Sequence, residues 1–234
     1  MNSMGSGPAS QGGRAPARER GGTLPDGASP FLHRVGQWIS ILFVRPAYRV
    51  RIHHADRIPR TGPVVLVANH SSLADGPLLF GMIPRTAVFL IKHEMFRGLL
   101  GWFLRKIGQL PVRRGEPDRT PLLAAVRVLR SGGLVGVFPE GTRGGEMATA
   151  QNGAAWLARS SGAVLLPVAC RGTRRPEGRG RRLLPRVDVL FGDPVVLPDA
   201  KGRAGLTAAT ERVRTELVEL IAELDRLVPT ADKT

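Results

Sequence analysis

Two short stretches of this chain set out residues able to do chemistry together. Asn69-His70-Ser71-Ser72-Leu73-Ala74-Asp75-Gly76 puts a histidine and a carboxylate four intervening residues apart, just after an apolar run. Phe138-Pro139-Glu140-Gly141-Thr142-Arg143 sets a carboxylate, a glycine turn, a hydroxyl and a guanidinium at the end of another apolar run. A neutral imidazole removes a proton from a hydroxyl near pH 7. A carboxylate on its other ring nitrogen holds the tautomer and stabilises the imidazolium. Arginine stays charged and can grip a phosphate through two N–H groups at once. The first stretch can move a proton and the second can hold a phosphate.

The elements that must position these residues alternate along the chain. Residues 63–68 form a continuous apolar run, the mark of a strand covered on both faces. A helix is expected over 73–82, with Ser71 and Ser72 placed to cap it. Further strands are expected at 87–91, 110–112, 134–138 and 164–169, with helices over 95–107 and 153–160. Thr120-Pro121 reads as an N-cap with proline at the first helical position, and Ser131-Gly132-Gly133 ends that helix. Residues 187–191 alternate like an edge strand, and 206–228 make an amphipathic closing helix. This order predicts an α/β fold, a mostly parallel central sheet flanked by helices, with an N-terminal amphipathic helical extension. Ligand sites in such sheets gather beyond the carboxyl ends of the strands. His70 and Glu140 both follow expected strands directly, so two remote motifs can meet on one rim.

The first thirty residues are rich in Gly and Pro, lack an apolar stretch and read as a disordered tail, without a signal peptide. From 31 to 49 the pattern changes. Phe31, Val35, Trp38, Ile39, Leu42 and Phe43 recur at helical spacing, and Arg45, Arg49 and Arg51 follow. The segment suits an interfacial helix with a basic flank, or one that packs on its own domain; the two are compatible. No run reaches the roughly 20 apolar residues of a spanning helix. The longest are broken by Arg45-Pro46 and Pro84-Arg85. The formal net charge is +15, and the first thirty residues carry only +1 of it. An anionic partner follows from that excess. Nucleic acid is disfavoured, because aromatics are few and no basic–aromatic recognition block occurs. The single cysteine, Cys170, sits in an apolar run and reads as a core thiol. His53 and His54 are adjacent, so on a strand they face opposite ways, and no metal-ligand spacing is present.

Four blocks carry a family resemblance: the Asn69–Gly76 stretch, Gly108-Gln109-Leu110-Pro111-Val112-Arg113-Arg114, the Phe138–Arg143 stretch, and Leu166-Pro167-Val168. In that order they resemble the 1-acylglycerol-3-phosphate acyltransferases, the PlsC-like glycerolipid acyltransferases, over about residues 50–191. The resemblance implies transfer of a fatty acyl group from acyl-CoA or acyl carrier protein to lysophosphatidic acid, giving phosphatidic acid, with no cofactor. It makes His70 the general base and Asp75 its partner. It assigns the acceptor phosphate to Arg114, Glu140, Gly141, Thr142 and Arg143, with Asn69, Lys92 and Pro167 as further candidates. With the closing helix the acyltransferase domain is expected over 50–228, followed by a short tail at 229–234; the apolar face and basic flank of the 31–49 segment and the positive excess predict peripheral attachment at the cytoplasmic face of a membrane with an anionic surface. One departure stands out: where the family often has Phe-Lys-x-Gly, this chain reads Ala150-Gln151-Asn152-Gly153. Gln151 in place of lysine leaves another lysolipid or a polyol phosphate open as acceptor. The rival of a different class is a catalytically inactive basic protein that binds lipid or nucleic acid.

Overall fold

The computed structural model describes residues 23–113, 119–139, 144–174, 184–197 and 202–228, with side chains of 144–151 excluded. In chain order the elements are α1 (Pro30–Ala47), β1 (Arg49–His53), β2 (Val64–Ala68), α2 (Asp75–Met82), β3 (Ala87–Lys92), α3 (Gly98–Lys106), β4 (Leu110–Val112), α4 (Thr120–Arg130), β5 (Leu134–Val137), α5 (Gly144–Ser161), β6 (Val164–Arg171), β7 (Arg186–Phe191) and α6 (Gly202–Leu227). The strands form a seven-stranded sheet in the order β1-β7-β6-β2-β5-β3-β4. All neighbours are parallel except β6 and β7. The fold is therefore the α/β type expected, a mostly parallel sheet between helical layers. The centre is β2, whose five residues Val-Val-Leu-Val-Ala are all buried. A β-branched run covered on both faces explains why it reads as continuous rather than alternating. One face of the sheet packs against α1, α2 and α3. The other packs against α4, α5 and α6.

The edge strand expected at 187–191 is instead interior, lying between β6 and β1. Its apolar residues are buried on both faces, Val187, Val189 and Phe191 on one and Leu190 on the other. The residue that made it look half-exposed, Asp188, is only 2% exposed. Arg186 donates to it at 2.7 and 3.0 Å, and His53 lies 3.0 Å away. The true edge is β1, whose Arg49 and Arg51 keep that border charged. Helix starts also differ. α2 begins at Asp75 rather than 73, and α3 begins at Gly98 after a one-turn 3₁₀ helix at His93–Met95. Thr120 is already helical, preceded by an uncapped Arg119. α5 and α6 start upstream of expectation, at Gly144 and Gly202.

Of the disordered tail expected over the first thirty residues, 1–22 lie outside the described residues, and the residues from 23 on meet the body. Leu24 packs against the core on the α4–α6 side. The Ser29 N–H donates to the Lys106 carbonyl at 2.9 Å, and its hydroxyl accepts from the Leu32 N–H at 3.3 Å, capping α1. The helix then runs from Pro30 to Ala47 rather than over 31–49, because Arg49 is already in β1.

In α1 the apolar face points away from the body. Phe31, Trp38, Leu42 and Phe43 are 70–73% exposed. The inner face mixes polar, small and apolar residues: His33, Gly36 and Val44 are buried, and Leu32 packs against the core. A Cβ on Gly36 would lie 3.1 Å from Ile107 and 3.3 Å from Phe80, so the close approach of α1 needs glycine there. The Gln37 amide donates to the carbonyls of Phe80, Ile83 and Arg85. His33 Nδ1–H donates to the Ile107 carbonyl at 2.6 Å, and Nε2 accepts from the Ala87 N–H at 3.4 Å. That pattern requires a neutral ring. Burial lowers the His33 pKa, the Arg34 charge adds to this, and the Ile107 hydrogen bond opposes it.

The depressed pKa gives a stability prediction. The unfolded chain protonates this histidine near pH 6.5. Stability from neutral His33 is therefore complete above about pH 6.5 and is lost as pH falls towards the lower folded value, by up to ~1.4 kcal/mol per pH unit. Denaturant midpoints at pH 7.5 and 5.5 should drop more for the parent than for His33→Asn.

Candidate active site

The site begins where β2 runs out. The Asn69 side chain carries the ladder one residue further: Nδ2 donates to the Cys170 carbonyl at 2.8 Å, and Oδ1 accepts the Cys170 N–H at 2.6 Å. One primary amide satisfies a main-chain donor and acceptor at the strand end and ties β2 to β6 just before His70. Asn69 thus stands behind the histidine as a support.

His70 Nδ1 lies 3.2 Å from Asp75 Oδ2. Asp75 has no exposed surface and opens α2. The same Oδ2 accepts the N–H groups of Ser71 at 2.7 Å and Ser72 at 2.8 Å. Oδ1 accepts the Thr173 hydroxyl at 2.5 Å, and that hydroxyl is 3.1 Å from Ser71 Oγ. Loop 70–75 is thus wound around one carboxylate. Burial pushes the Asp75 carboxyl up, but the hydrogen bonds from His70, Thr173, Ser72 and Ser71 outweigh it and hold the group below the usual carboxylate range. The serines do not cap α2 as expected. Ala74 occupies the position before the helix without a side-chain cap, and the Ser72 hydroxyl accepts only from the Ala74 N–H. An anionic acceptor three and four residues ahead outcompetes hydroxyls for the turn's N–H groups.

The His70 ring leans on Phe138, centroids 4.7 Å apart, and Phe138 stacks on Phe89 at 5.7 Å. Phe89 fits because Gly136 lies beside it: a Cβ there would be 2.3 Å from the Phe89 ring. The imidazole is 28% exposed, one flank against aromatics and Nδ1 turned to a buried anion. A ring held in this way can take a proton on Nε2 and be stabilised as the cation.

The sheet order brings the two opening stretches side by side. β5 pairs with β2 through Val67↔Val137, so Phe138 and Pro139 leave the sheet next to Asn69 and His70. Arg114, Glu140, Gly141, Thr142 and Arg143 lie outside the described residues, as does the side chain of Gln151. Lys92 ends β3 at the same end of the sheet, exposed and 3.4 Å from Glu94. Pro167 is buried within β6 opposite Val67, its carbonyl accepting from Gly192 N–H at 2.9 Å. It sits inside the sheet, below the rim. The sequence from Arg171 to Arg186 is rich in arginine, and the arginines at its two ends are engaged internally. Arg171 binds Asp225 and the Val228 carbonyl, and Arg186 binds Asp188. Cys170 is a buried thiol, as expected, with burial pushing its pKa far up. Thr173 and the Phe138–Phe89 stack are members of the site that the sequence alone did not single out.

A family model described as Acyltransferase matches residues 49–171, and the chain belongs to that family. Its relatives are of the PlsC-like type. It is 29% identical over 185 residues to a 1-acyl-sn-glycerol-3-phosphate acyltransferase of Bacillus subtilis, covering 76% of this chain and 91% of that one. It is 29% identical over 177 residues to the enzyme of that name from Streptococcus pneumoniae, covering 73% and 66%. It is also 35% identical over 136 residues to a lyso-ornithine lipid O-acyltransferase of Pseudomonas aeruginosa, covering 56% and 51%. The crystal structure of PlsC, the 1-acyl-sn-glycerophosphate acyltransferase from Thermotoga maritima, shares the fold. Its TM-score is 0.62 at 24% identity, covering 87% of this chain and 80% of that one.

Thr173 offers a test of the carboxylate cradle. Thr173→Val removes one hydrogen bond that lowers the Asp75 pKa, so that pKa should rise. The acid limb of an acyl-transfer pH–rate profile should then move to higher pH, with kcat reduced at neutral pH and substrate KM little changed. Thr173→Ser should restore the parent profile.

Proposed function

We propose that this chain transfers a fatty acyl group from a thioester donor, acyl-CoA or acyl carrier protein, to lysophosphatidic acid, forming phosphatidic acid. The observation that carries this reading is the His70–Asp75 pair, a half-open imidazole backed by a fully buried, hydrogen-bonded carboxylate. Membership of the acyltransferase family and the names of the relatives supply the reaction class. His70 is the general base. With Nδ1 held by Asp75, Nε2 takes the proton as the acceptor hydroxyl attacks the thioester carbonyl. The tetrahedral intermediate collapses by expelling the thiolate, which recovers the proton from the imidazolium. One ester bond forms, one thioester bond breaks, and no further co-reactant is required. Asp75 is a positioning residue that keeps the tautomer and stabilises the cation. Arg114 and Arg143 hold the acceptor phosphate, with Glu140, Gly141 and Thr142 as further acceptor-binding residues and Lys92 as an additional candidate.

The lipid acceptor fits the surface. Large exposed apolar side chains lie on the α1–α3 side of the sheet, where Phe138 also packs: Phe31, Trp38, Leu42 and Phe43 of α1, and Leu99 and Trp102 of α3; Leu73 in the histidine loop is exposed as well. No helix among the described residues is long and apolar enough to cross a membrane. The apolar faces with Arg34, Arg45 and Arg49 beside them suit peripheral attachment to an anionic surface, at the cytoplasmic face of the membrane. A second acceptor reading rests on two observations, the 35% identity to a lyso-ornithine lipid O-acyltransferase and Gln151 in place of lysine. A phosphate-free lysolipid is its substrate.

A lysolipid panel with a labelled acyl donor separates the two acceptors. Lysophosphatidic acid should be used best, and preferential use of lyso-ornithine lipid would select the second reading. His70→Ala should lose at least about 10²-fold in rate while staying folded. Near-full activity would exclude the mechanism. Arg114→Ala or Arg143→Ala should raise the lysolipid KM by about 1.5–3 kcal/mol equivalent, and sparing the acceptor in both would move the phosphate site elsewhere. Sedimentation with anionic vesicles should weaken with salt and weaken again in Trp38→Ser/Leu42→Ser. Equal binding to neutral vesicles would contradict the electrostatic part.

A further inference from the structure

At the end of the sheet away from His70, α1 and the turn leading into β3 enclose a half-open cavity of about 250 Å³. Its walls include Arg34, Gln37 and Trp38 of α1, and Ile83, Arg85 and Thr86 of the turn. Both charged residues are cationic, and no carboxylate lines the space. Arg85 is fixed: Nη1 donates to the Pro59 carbonyl at 2.7 Å, and Nη2 to the Gly62 carbonyl at 2.9 Å and to that of Gly132. Carbonyl dipoles solvate that charge without neutralising it. Gln37 is likewise occupied by three carbonyls. Arg34 is exposed, and no carboxylate among the described residues is within ion-pair distance of it. Two arginines therefore line a concave site, and no carboxylate stands among its lining residues.

The position of the mouth identifies the occupant. Trp38 lines it and is 72% exposed, on the same outward face as Leu42. An aromatic of this kind sits at the headgroup level of a membrane surface. The volume is below the usual range for a whole small ligand, about 300–1,000 Å³. It admits a compact anion but not acyl chains, which can lie outside along Trp38 and Leu42. We infer that this cavity is a receptor for the phosphodiester headgroup of an anionic membrane lipid, gripped by Arg34 against the fixed Arg85 and Thr86. The inference rests on the peripheral membrane attachment proposed above and deepens it. Attachment then includes one saturable headgroup site, separate from the acceptor site at the other end of the sheet.

The test uses the full chain and dihexanoyl phosphatidylglycerol below its micelle concentration, followed by calorimetry, with inorganic phosphate as the second probe. Saturable one-to-one binding is expected, weakened at least 10-fold in Arg34→Glu and in Thr86→Phe, which fills the cavity without altering charge. Arg203→Glu makes the same charge change on the opposite helical layer and should weaken binding less than 2-fold. His70→Ala should bind like the parent, so loss of acyl transfer is read separately from loss of this site. Circular dichroism checks that each variant is folded. Equal weakening by Arg34→Glu and Arg203→Glu would reduce the effect to diffuse charge and overturn the site. Inorganic phosphate binding as tightly as the lipid would overturn the lipid assignment.

Discussion

A carboxylate without solvent exposure is the constraint on which the rest of this site depends. Taking an ionised group out of water costs several kcal/mol even after relaxation. Asp75 offsets that cost with two backbone N–H groups and the Thr173 hydroxyl, each charge-assisted hydrogen bond worth about 1.5–3 kcal/mol, and with His70 Nδ1 3.2 Å away. Those donors come from different places: the loop after β2, the chain after β6 and the imidazole itself. The anion can stay charged only if the loop, the start of α2 and the end of β6 are all in place. The geometry of the His70–Asp75 pair and local folding are therefore one requirement.

The sheet order meets that requirement. β2 stands between β6 and β5. From β6 come the main chain of Cys170, which Asn69 clamps, and Thr173, which holds Asp75. From β5 comes Phe138, the wall for the His70 ring, continuing into the Glu-Gly-Thr-Arg stretch. The Asn69–Gly76 and Phe138–Arg143 stretches are far apart in sequence, yet follow neighbouring parallel strands at the same end of the sheet. A site at the carboxyl ends of central strands follows from that wiring.

How much of this was legible depended on whether a residue's meaning is local. β2, β3, β5 and β6 announce themselves as apolar runs, and His70 and Asp75 as a spaced pair. Thr173 carries no such signal. A threonine after a strand is unremarkable until β6 is known to lie beside β2, and pairing order is not written in periodicity. Asp188 misled in the same way: a charge in an alternating strand reads as an outward face, but Arg186 and His53 allow it to be buried, which moves β7 from the edge to the interior. The inner end of the N-terminal tail was missed because Gly and Pro dominate its composition. Leu24 and Ser29 nevertheless find partners contributed by distant helices.

Helix α1 shows the same limit from the other side. Its apolar stripe was plain, but a stripe does not say whether it faces in or out. What decides is the opposite face. Gly36 permits near contact with Phe80 and Ile107, His33 fits only as a neutral ring between a carbonyl and an N–H, and Gln37 answers three carbonyls left by the end of α2 and the turn after it. Reversing the helix would bury Phe31, Trp38 and Leu42 but strand those carbonyls. Unsatisfied buried polar groups cost about 1–3 kcal/mol each, comparable with the gain from burying one large side chain. The docking face therefore joins these polar groups to Leu32 and Val44, and Phe31, Trp38, Leu42 and Phe43 stay exposed on the opposite side.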